Sequence, residues 1–332
     1  MSRPGAQEPE LAALASRLRQ LSGLTGKTDI QSPAATFPHQ PFPALGPAAA
    51  LGDDAALLPA VATPLLLASE GIDPSLVAAD PWFAGWCGVL VNLSDIAAMG
   101  GTPIAVVNSL WCRSASQAEQ VLAGLRRASE VFGVPVVGGH TNLRSPYDAL
   151  AVAVLGTAAG PVLSARAARA GDHCHLLIDP NGGFRGDSLC WDAATGAEPA
   201  RLRRQLALMA ELAADASVHA AKDISMGGLV GTAAMVCEAA GCGLSLDLAA
   251  IQPPAGVALE PWLTCFPSFG FLLAARPDQG GRLAGRVAAC GGLLLARIGT
   301  FTAERRLVLN QALQQEEIWR GEAPLTGFGA LS

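Results

Sequence analysis

The amino-acid sequence predicts a two-domain α/β protein. Segments with the apolar pattern of β-strands alternate with segments of helical periodicity along most of the 332 residues. Near residues 160–171, Ala and Arg replace the apolar strand pattern, which marks a boundary between two such series. The chain is also long enough to bury two cores. We therefore expect a helix and a Pro-rich arm at 1–50, a first domain at 51–162 and a second at 163–332.

The N-terminal arm has two parts. Residues 8–22 predict an amphipathic helix with leucines along one stripe, and the following residues to 51 are rich in Pro and Ala. A segment of that length without secondary structure is either functional or disordered. The start of the chain lacks the basic and apolar regions of a secretion signal.

The first domain is predicted to contain two long helices, at 81–99 and 116–132. The first begins at Asp80-Pro81, a strong start signal, and ends at Gly100-Gly101. The second is predicted to begin with a capping box formed by Ser116 and Glu119 and to end at Gly133. Strands are predicted at 55–59, 64–71, 104–111, 134–137 and 150–157.

The second domain repeats this alternation, which indicates another α/β layer. Strands are predicted at 174–178, 218–221, 244–248, 269–274 and 293–298. Helices are predicted at 198–215, 228–240 and 278–290, with a short terminal helix at 313–320.

Composition excludes several classes of protein. The net charge is −6 and no basic cluster is interleaved with aromatics, which argues against nucleic acid as a partner. The apolar run free of charge at 149–163 is shorter than the roughly 20 residues of a membrane span. The eight cysteines form no Cys-x-x-Cys pair and indicate core residues in a reducing compartment. We therefore expect a soluble, cytoplasmic protein without a membrane partner.

Two acidic segments stand out. Asn92 and Asp95 lie three residues apart, on one face of the otherwise apolar helix 81–99, and a buried carboxylate needs a donor, a cation or a metal ion. Asp53 and Asp54 directly precede an apolar strand. Alternatively, Asp95 caps a neighbouring loop and the Asp53-Asp54 pair is an ordinary turn. The chain has neither a Walker loop nor a Gly-x-Gly-x-x-Gly motif, so carboxylates would have to hold phosphates through Mg²⁺.

Three further motifs follow in the chain. Gly138-Gly139-His140-Thr141-Asn142 follows a predicted strand and offers backbone N–H groups to an anion. Asp223 ends a predicted strand, and Gly227-Gly228 begins a helix whose N-terminus is an anion site. The third motif is the run from Phe266 to Phe271.

These five segments, in this order, resemble the aminoimidazole ribonucleotide (AIR) synthetase (PurM)-like superfamily. Its members include thiamine-monophosphate kinase, selenophosphate synthetase and the hydrogenase maturation protein HypE. The resemblance covers residues 52 to 300. It implies a PurM-like fold: an N-terminal ferredoxin-like α/β domain, whose sheet forms a barrel with that of a second subunit, and a C-terminal α/β layer domain. A homodimer is therefore expected.

The resemblance also implies a site for ATP and Mg²⁺. The implied metal ligands are Asp53, Asp54, Asp95 and Asp223, and the implied catalytic residues are Asp95, His140 and Asp223. The implied nucleotide-binding residues are Lys27, Gly52, Asp53, Asp54, Asn92, Gly138, Gly139, Thr141, Asn142, Gly227 and Gly228. Lys27 is included because the N-terminal segment of relatives can fold over the nucleotide; a surface arm without contact is the alternative.

This chain departs from the pattern of thiamine-monophosphate kinases, which have Asp where His140 and Met226 stand. Glu70 also stands at a position where relatives often have Asp. These departures argue against thiamine monophosphate as substrate, and the arm lacks the Cys or Gly-rich loop expected for selenophosphate synthesis. His140 can act as an acid or base near neutral pH, or be a loop residue bonded to backbone.

Two functions remain open from the sequence. The first is ATP- and Mg²⁺-dependent phosphoryl transfer that activates an oxygen of a small molecule, an amide or formyl oxygen being preferred. The second is a nucleotide-binding maturation or scaffold dimer that acts with a partner protein, without turnover of its own.

Overall fold

A computed structural model describes residues 62–322 and 325–326 of the chain. The predicted helix at 8–22, the Pro-rich arm and the strand at 55–59 lie outside the described residues. So do four candidate site residues, Lys27, Gly52, Asp53 and Asp54.

The first domain is a four-stranded sheet with helices on one face. Its strands are β1 (Leu65–Ile72), β2 (Thr102–Trp111), β3 (Val136–Asn142) and β4 (Ala149–Thr157). Its helices are α1 (Pro74–Ala79), α2 (Pro81–Ala98) and α3 (Ala115–Phe132). The strand order is β1-β4-β2-β3, in which only the β2–β3 pair is parallel.

The starts of the two long helices show how local sequence sets the fold. Asp80 caps α2 by accepting a hydrogen bond of 3.1 Å from the N–H of Phe83. The predicted capping box of α3 is wrong: Ser114, two residues earlier than Ser116, accepts from the N–H of Gln117 at 3.2 Å. Ser114 has the extended backbone of a cap residue, so the helix includes Ser116.

The two long helices approach closely because glycines face each other. A Cβ on Gly85 of α2 would lie 2.0 Å from the carbonyl oxygen of Val121, and one on Gly124 of α3 would lie 2.0 Å from that of Trp82. Any side chain at either position would therefore push the helices apart.

The second domain is built on a seven-stranded sheet. The large sheet contains β5 (His173–Ile178), β8 (Ala220–Asp223), β9 (Gly243–Asp247), β11 (Gly270–Ala275), β12 (Leu294–Thr302), β13 (Arg306–Gln311) and β14 (Gln314–Arg320). A small sheet contains β6 (Gly183–Phe184), β7 (Cys190–Asp192) and β10 (Phe266–Pro267). The helices are α4 (Pro199–Ala214), α5 (Gly228–Ala240), α6 (Leu259–Thr264) and α7 (Gly280–Cys290). The order of the large sheet is β14-β13-β9-β12-β5-β11-β8.

The predicted terminal helix at 313–320 is wrong. This segment forms β14, which pairs antiparallel with β13 across a turn at Ala312, where φ is 53°. Its residues are nearly all polar, so a helix there would have no apolar face to bury.

One hydrophobic core runs through both domains. It joins residues of α2 and α3 to residues of α4, β11 and α7, for example Leu93, Leu125, Met209, Leu273 and Leu283. A second core lies on the other face of the large sheet, under α5. The large sheet is thus covered on both faces, as in a layered α/β domain.

The other face of the four-stranded sheet carries exposed apolar side chains. Leu67 is 80% exposed, Leu65 57% and Val107 41%. An apolar sheet face of this kind fits the expected subunit contact, which stays a prediction. No helix within residues 62–322 is long and apolar enough to cross a membrane.

Candidate functional site

A cavity of about 370 Å³ lies between the two domains. The first domain contributes the end of β1, α1 and the apolar helix α2 to its wall. The second domain contributes β7, β10 and the turn between β8 and α5. Three acidic residues from distant parts of the chain, Glu70, Asp95 and Asp223, lie at this cavity.

Asp95 lies in the last turn of α2, which is buried along most of its length. Burial, and then the negative charges of Asp223 and Glu70, raise the pKa of this carboxyl to about 7, against the opposing effect of Lys222. The ionised carboxylate of Asp95 therefore has too little positive charge near it to offset its burial and its acidic neighbours. The alternative that Asp95 caps a neighbouring loop has no support among the described hydrogen bonds, since none to its carboxylate is found there.

Glu70 belongs to the same cluster. Burial raises the pKa of Glu70, as does Asp223, whereas Lys222 lowers it. In the sheet register Glu70 lies beside Val152, whose side chain is buried under the helices, so Glu70 is on the helix-covered face. Sequence reasoning treated Glu70 only as a departure from relatives. The alternation along β1 is the signal that places it on this face.

Asp223 is the last residue of β8, and the cation of the cluster is the preceding residue, Lys222. The ammonium of Lys222 lies 3.4 Å from a carboxylate oxygen of Asp223. Three carboxylates therefore share one lysine, which leaves the cluster with a net negative charge.

The turn after Asp223 leads to the N-terminus of α5, where no side chain caps the first backbone N–H groups. Gly228 has φ of 62°, and a Cβ there would lie 2.5 Å from the carbonyl oxygen of Leu263. Only glycine fits this position. The neighbouring Ser225 and Met226 line the cavity, so the positive end of the helix dipole lies near the carboxylates.

The donor set suits a hard cation only in part. Within the described ranges, no three His, Cys, Asp or Glu residues are arranged to hold a metal ion among themselves. Magnesium, however, is usually bound by one or two carboxylates together with waters and substrate phosphates. The oxygen ligands Asp95 and Asp223 fit that mode, whereas they would not fit a closed structural site.

The prediction that the Gly138–Asn142 motif follows a strand is wrong. The motif itself forms most of β3. Strand β3 is an edge strand, and Gly139 allows it to lie against β2, since a Cβ there would be 2.6 Å from the carbonyl oxygen of Asn108. The backbone N–H groups of Gly138, Gly139, Thr141 and Asn142 thus belong to a strand rather than to an open loop.

His140 lies on the face of the sheet away from Glu70. His140 pairs with Ser109, whereas Glu70 and Asn108 both pair with Val152. Because Ser109 and Asn108 are adjacent in β2, their side chains point to opposite faces of the sheet. Its ring is 6.3 Å from that of Trp111. Within one chain the structure does not bring His140 together with Asp95 and Asp223, and its catalytic role stays a prediction.

Asn92 is fully buried one turn before Asp95. Its side-chain N–H donates to the carbonyl of Gly88 at 2.8 Å, and its Oδ1 accepts no hydrogen bond from the described residues. A buried amide oxygen without a donor is costly, but Asn92 is not among the described residues that line the cavity, so its role in nucleotide binding stays a prediction.

Arg185, which lies between β6 and β7, contacts residues of both domains. Its guanidinium donates to one carboxylate oxygen of Asp80 at 2.9 and 3.1 Å, lies 3.5 Å from Asp192, and stacks over the ring of Phe83 at 4.4 Å. It therefore ties the start of α2 to the second domain. Arg113 similarly pairs with Asp148, at 3.4 Å.

Fold and site together define a class: two-domain α/β proteins with an acidic cavity between the domains. Two profiles match the chain, "AIR synthase related protein, N-terminal domain" over residues 52–162 and "AIR synthase related protein, C-terminal domain" over residues 170–311. The chain belongs to the AIR synthase related family, within the PurM-like superfamily.

Among curated proteins, the uncharacterized protein sll0787 of Synechocystis is 46% identical over 323 residues, which is 96% of this chain and 98% of that protein. Thiamine-monophosphate kinase of Synechococcus elongatus is 39% identical over 118 residues, covering 33% of this chain and 36% of the kinase.

Solved structures show the same fold. The hydrogenase maturation protein HypE in complex with ATP has a TM-score of 0.69 at 17% identity, and the match covers 90% of this chain and 94% of HypE. PurL of T. maritima complexed with ATP has a TM-score of 0.66 at 17% identity, covering 94% of this chain and 51% of PurL.

Proposed function

We propose that this protein is an ATP- and Mg²⁺-dependent phosphotransferase or ligase that activates an oxygen of a small molecule. The observation that carries the proposal is the convergence of Glu70, Asp95 and Asp223, from both domains, on one cavity with a single lysine. The preferred acceptor is an amide or formyl oxygen, because phosphorylation turns such an oxygen into a leaving group.

The charge balance of the cluster supports a divalent cation. Burial and neighbouring charges raise the pKa of Asp95 to about 7, which shows that its ionised form lacks compensation. Asp95 and Asp223 would hold Mg²⁺, with Asp53 and Asp54 as further proposed ligands. The ion would supply charge neutralisation for the phosphates of ATP.

Phosphoryl transfer asks a protein mainly to position groups and to stabilise charge. The N-terminus of α5 follows Ser225 and Met226, which line the cavity, and no side chain caps it, so its positive end would favour a phosphate there. Asn92 and Lys27 are proposed as further nucleotide-binding residues, with Lys27 covering the nucleotide. The names of relatives agree with this proposal, since they include a kinase and two proteins solved with ATP.

The test is thermal unfolding with ATP, with and without Mg²⁺. Because carboxylates and phosphates repel each other without a cation, ATP should stabilise the protein only when Mg²⁺ is present. At about 100 times the dissociation constant the gain should be roughly 2.7 kcal/mol. Equal stabilisation in EDTA would contradict the metal-bridged site.

A second measurement separates turnover from binding. The enzyme should release ADP with Mg²⁺-ATP when a suitable acceptor, screened among amides and formyl compounds, is present. Mg²⁺-dependent binding without ADP release across that screen would instead favour the maturation or scaffold dimer that acts with a partner protein.

A further inference from the structure

The lining of the interdomain cavity extends beyond the carboxylates that would hold the phosphates of ATP through Mg²⁺. Away from the carboxylates its lining is mainly apolar and partly aromatic. The apolar lining residues include Ile72, Leu76, Phe83, Leu90, Trp191 and Phe266. A cavity of about 370 Å³ with such walls and a few polar groups at one end has the form of a small-molecule site.

The charged lining residues all have the same sign. They are Glu70, Asp73, Asp95 and Asp223, and no Lys, Arg or His is found among the described residues of the wall. The nearby cations are already paired, Lys222 with Asp223 and Arg185 with Asp80. A ligand carrying phosphate or carboxylate would therefore meet no charged side chain of opposite sign among the described residues of the wall.

Asp73, which precedes α1, adds a negative charge to this wall. It caps α1 by accepting from the N–H of Ser75 at 2.8 Å. The side-chain and backbone hydrogen bonds of Ser75 hold the pKa of Asp73 below its usual range. An amine on a ligand would find a charged partner there.

The apolar wall also offers few groups to the edge of a nucleotide base. The carbonyls of Leu189, Cys190 and Trp191 already accept from the N–H groups of Phe266, Arg185 and Ser268. The hydroxyl of Ser268 accepts from the N–H of Ala193. Because these backbone groups are satisfied within the small sheet, the wall recognises shape and apolar surface rather than a pattern of donors and acceptors.

We propose that this cavity binds the phosphoryl acceptor, and that the acceptor is a small molecule with an apolar body and an uncharged or amine-type polar group, without phosphate or carboxylate. This inference rests on the proposed function, because it assigns the acceptor to the site next to the Mg²⁺-ATP carboxylates. It narrows the acceptor class by charge and by shape.

The test is calorimetric titration of the full-length protein, saturated with Mg²⁺ and a non-hydrolysable ATP analogue. Four probes share one aromatic body: phenylacetamide, phenethylamine, phenylacetate and benzyl phosphate. The amide and the amine should bind at least about tenfold more tightly than the two anions. Equal or tighter binding of the anions, or no binding of any probe at millimolar concentration, overturns the proposal. Displacement of the ATP analogue by the probes also overturns it, since the cavity would then hold the base.

Two variants locate the binding. Leu76→Trp places bulk into the cavity from the half-buried side of α1 and should weaken the amide and the amine by about tenfold or more. The matched control Leu313→Trp, at a fully exposed turn, should change neither. Asp73→Asn keeps a good helix cap but removes the charge, so it should weaken the amine and spare the amide. Unchanged amide binding in a folded Leu76→Trp would overturn the assignment of the acceptor to this cavity. Unchanged amine binding in Asp73→Asn would overturn the assignment of Asp73 as the partner of the amine.

The two proposals fail separately. If the ATP analogue does not stabilise the protein with Mg²⁺, the proposed function fails, and the same probe series without nucleotide still decides the charge preference of the cavity. If the analogue binds and the anions are preferred, only the acceptor class is wrong.

Discussion

The substitution Asp95→Asn tests the central residue of the site. Asparagine keeps the size of the side chain and removes its charge. In the wild type, burial and then the charges of Asp223 and Glu70 raise the pKa of Asp95 from its ordinary value of 3.8 to about 7. A carboxyl whose pKa is higher in the folded state favours folding when protonated and opposes it when ionised.

The sign and the size of the effect follow from this shift. The contribution of Asp95 to wild-type stability should fall as the pH rises from about 4 to about 7, whereas the asparagine side chain does not titrate. Raising the pKa from 3.8 to about 7 corresponds to about 4 kcal/mol, since each tenfold change in the proton equilibrium is worth about 1.36 kcal/mol. Part of the carboxyl faces solvent, so we expect the variant to be more stable than wild type by about 2–3 kcal/mol at pH 8.

The assay is urea unfolding in EDTA at several pH values, for wild type and variant. The difference in the free energy of unfolding should be small near pH 4 and reach its plateau above pH 7. Asp215→Asn is the control of opposite sign: burial raises the pKa of Asp215, but hydrogen bonds from Ser217 and Arg286 outweigh it and hold the pKa below its ordinary value. That variant should be less stable than wild type at pH 8.

Ligand binding completes the test. With Mg²⁺-ATP present, wild type should gain stability and Asp95→Asn should gain little, since the variant lacks a ligand for the ion. If instead the variant loses about 1–3 kcal/mol in EDTA and keeps its response to Mg²⁺-ATP, Asp95 is a structural residue and the site is wrongly placed.

Two further predictions concern assembly and the α5 turn. Wild type should sediment as a dimer at micromolar concentration and Leu67→Asp as a folded monomer, because Leu67 is 80% exposed on the apolar sheet face; a monomeric wild type, or an equal effect of Leu313→Asp, would refute the predicted contact. Gly228→Val should lower the free energy of unfolding by about 3 kcal/mol, because it combines φ of 62° with a contact of 2.5 Å to Leu263. The control Gly231→Ala, where a Cβ meets open space, should be neutral or stabilising in urea unfolding.

The sequence predicted most helices because their ends carry local signals. Asp80-Pro81 starts α2 where expected, and Gly133 ends α3 with φ of 71°. Short α1, which begins at Pro74, was missed, since six residues carry too little periodicity. The strand β14 was mistaken for a helix because its pairing with β13, rather than its own composition, stabilises it.

The candidate site was predictable only in part. Asp95 stood out in the sequence because a carboxylate in an apolar helix is unusual, and Asp223 because it ends the strand before the Gly227-Gly228 motif. The structure brings both to the cavity, and their roles stay predictions. The sequence placed His140 in a loop, since glycines usually mark turns, whereas they here let an edge strand lie close to β2. The cavity is lined by Leu76, Trp191 and Phe266, which are far apart in the chain. Local sequence patterns do not predict contacts between such distant residues.

The core shared by the two domains has a consequence for how molecules reach the cavity. Because Leu93 and Leu125 pack in the same cluster as Met209 and Leu273, separating the domains would expose a large apolar surface to water. The halves should therefore melt together, and neither should fold well as an isolated fragment. A hinge that swings the halves apart is too costly to admit a substrate, so entry and release must depend on small movements of the segments at the rim.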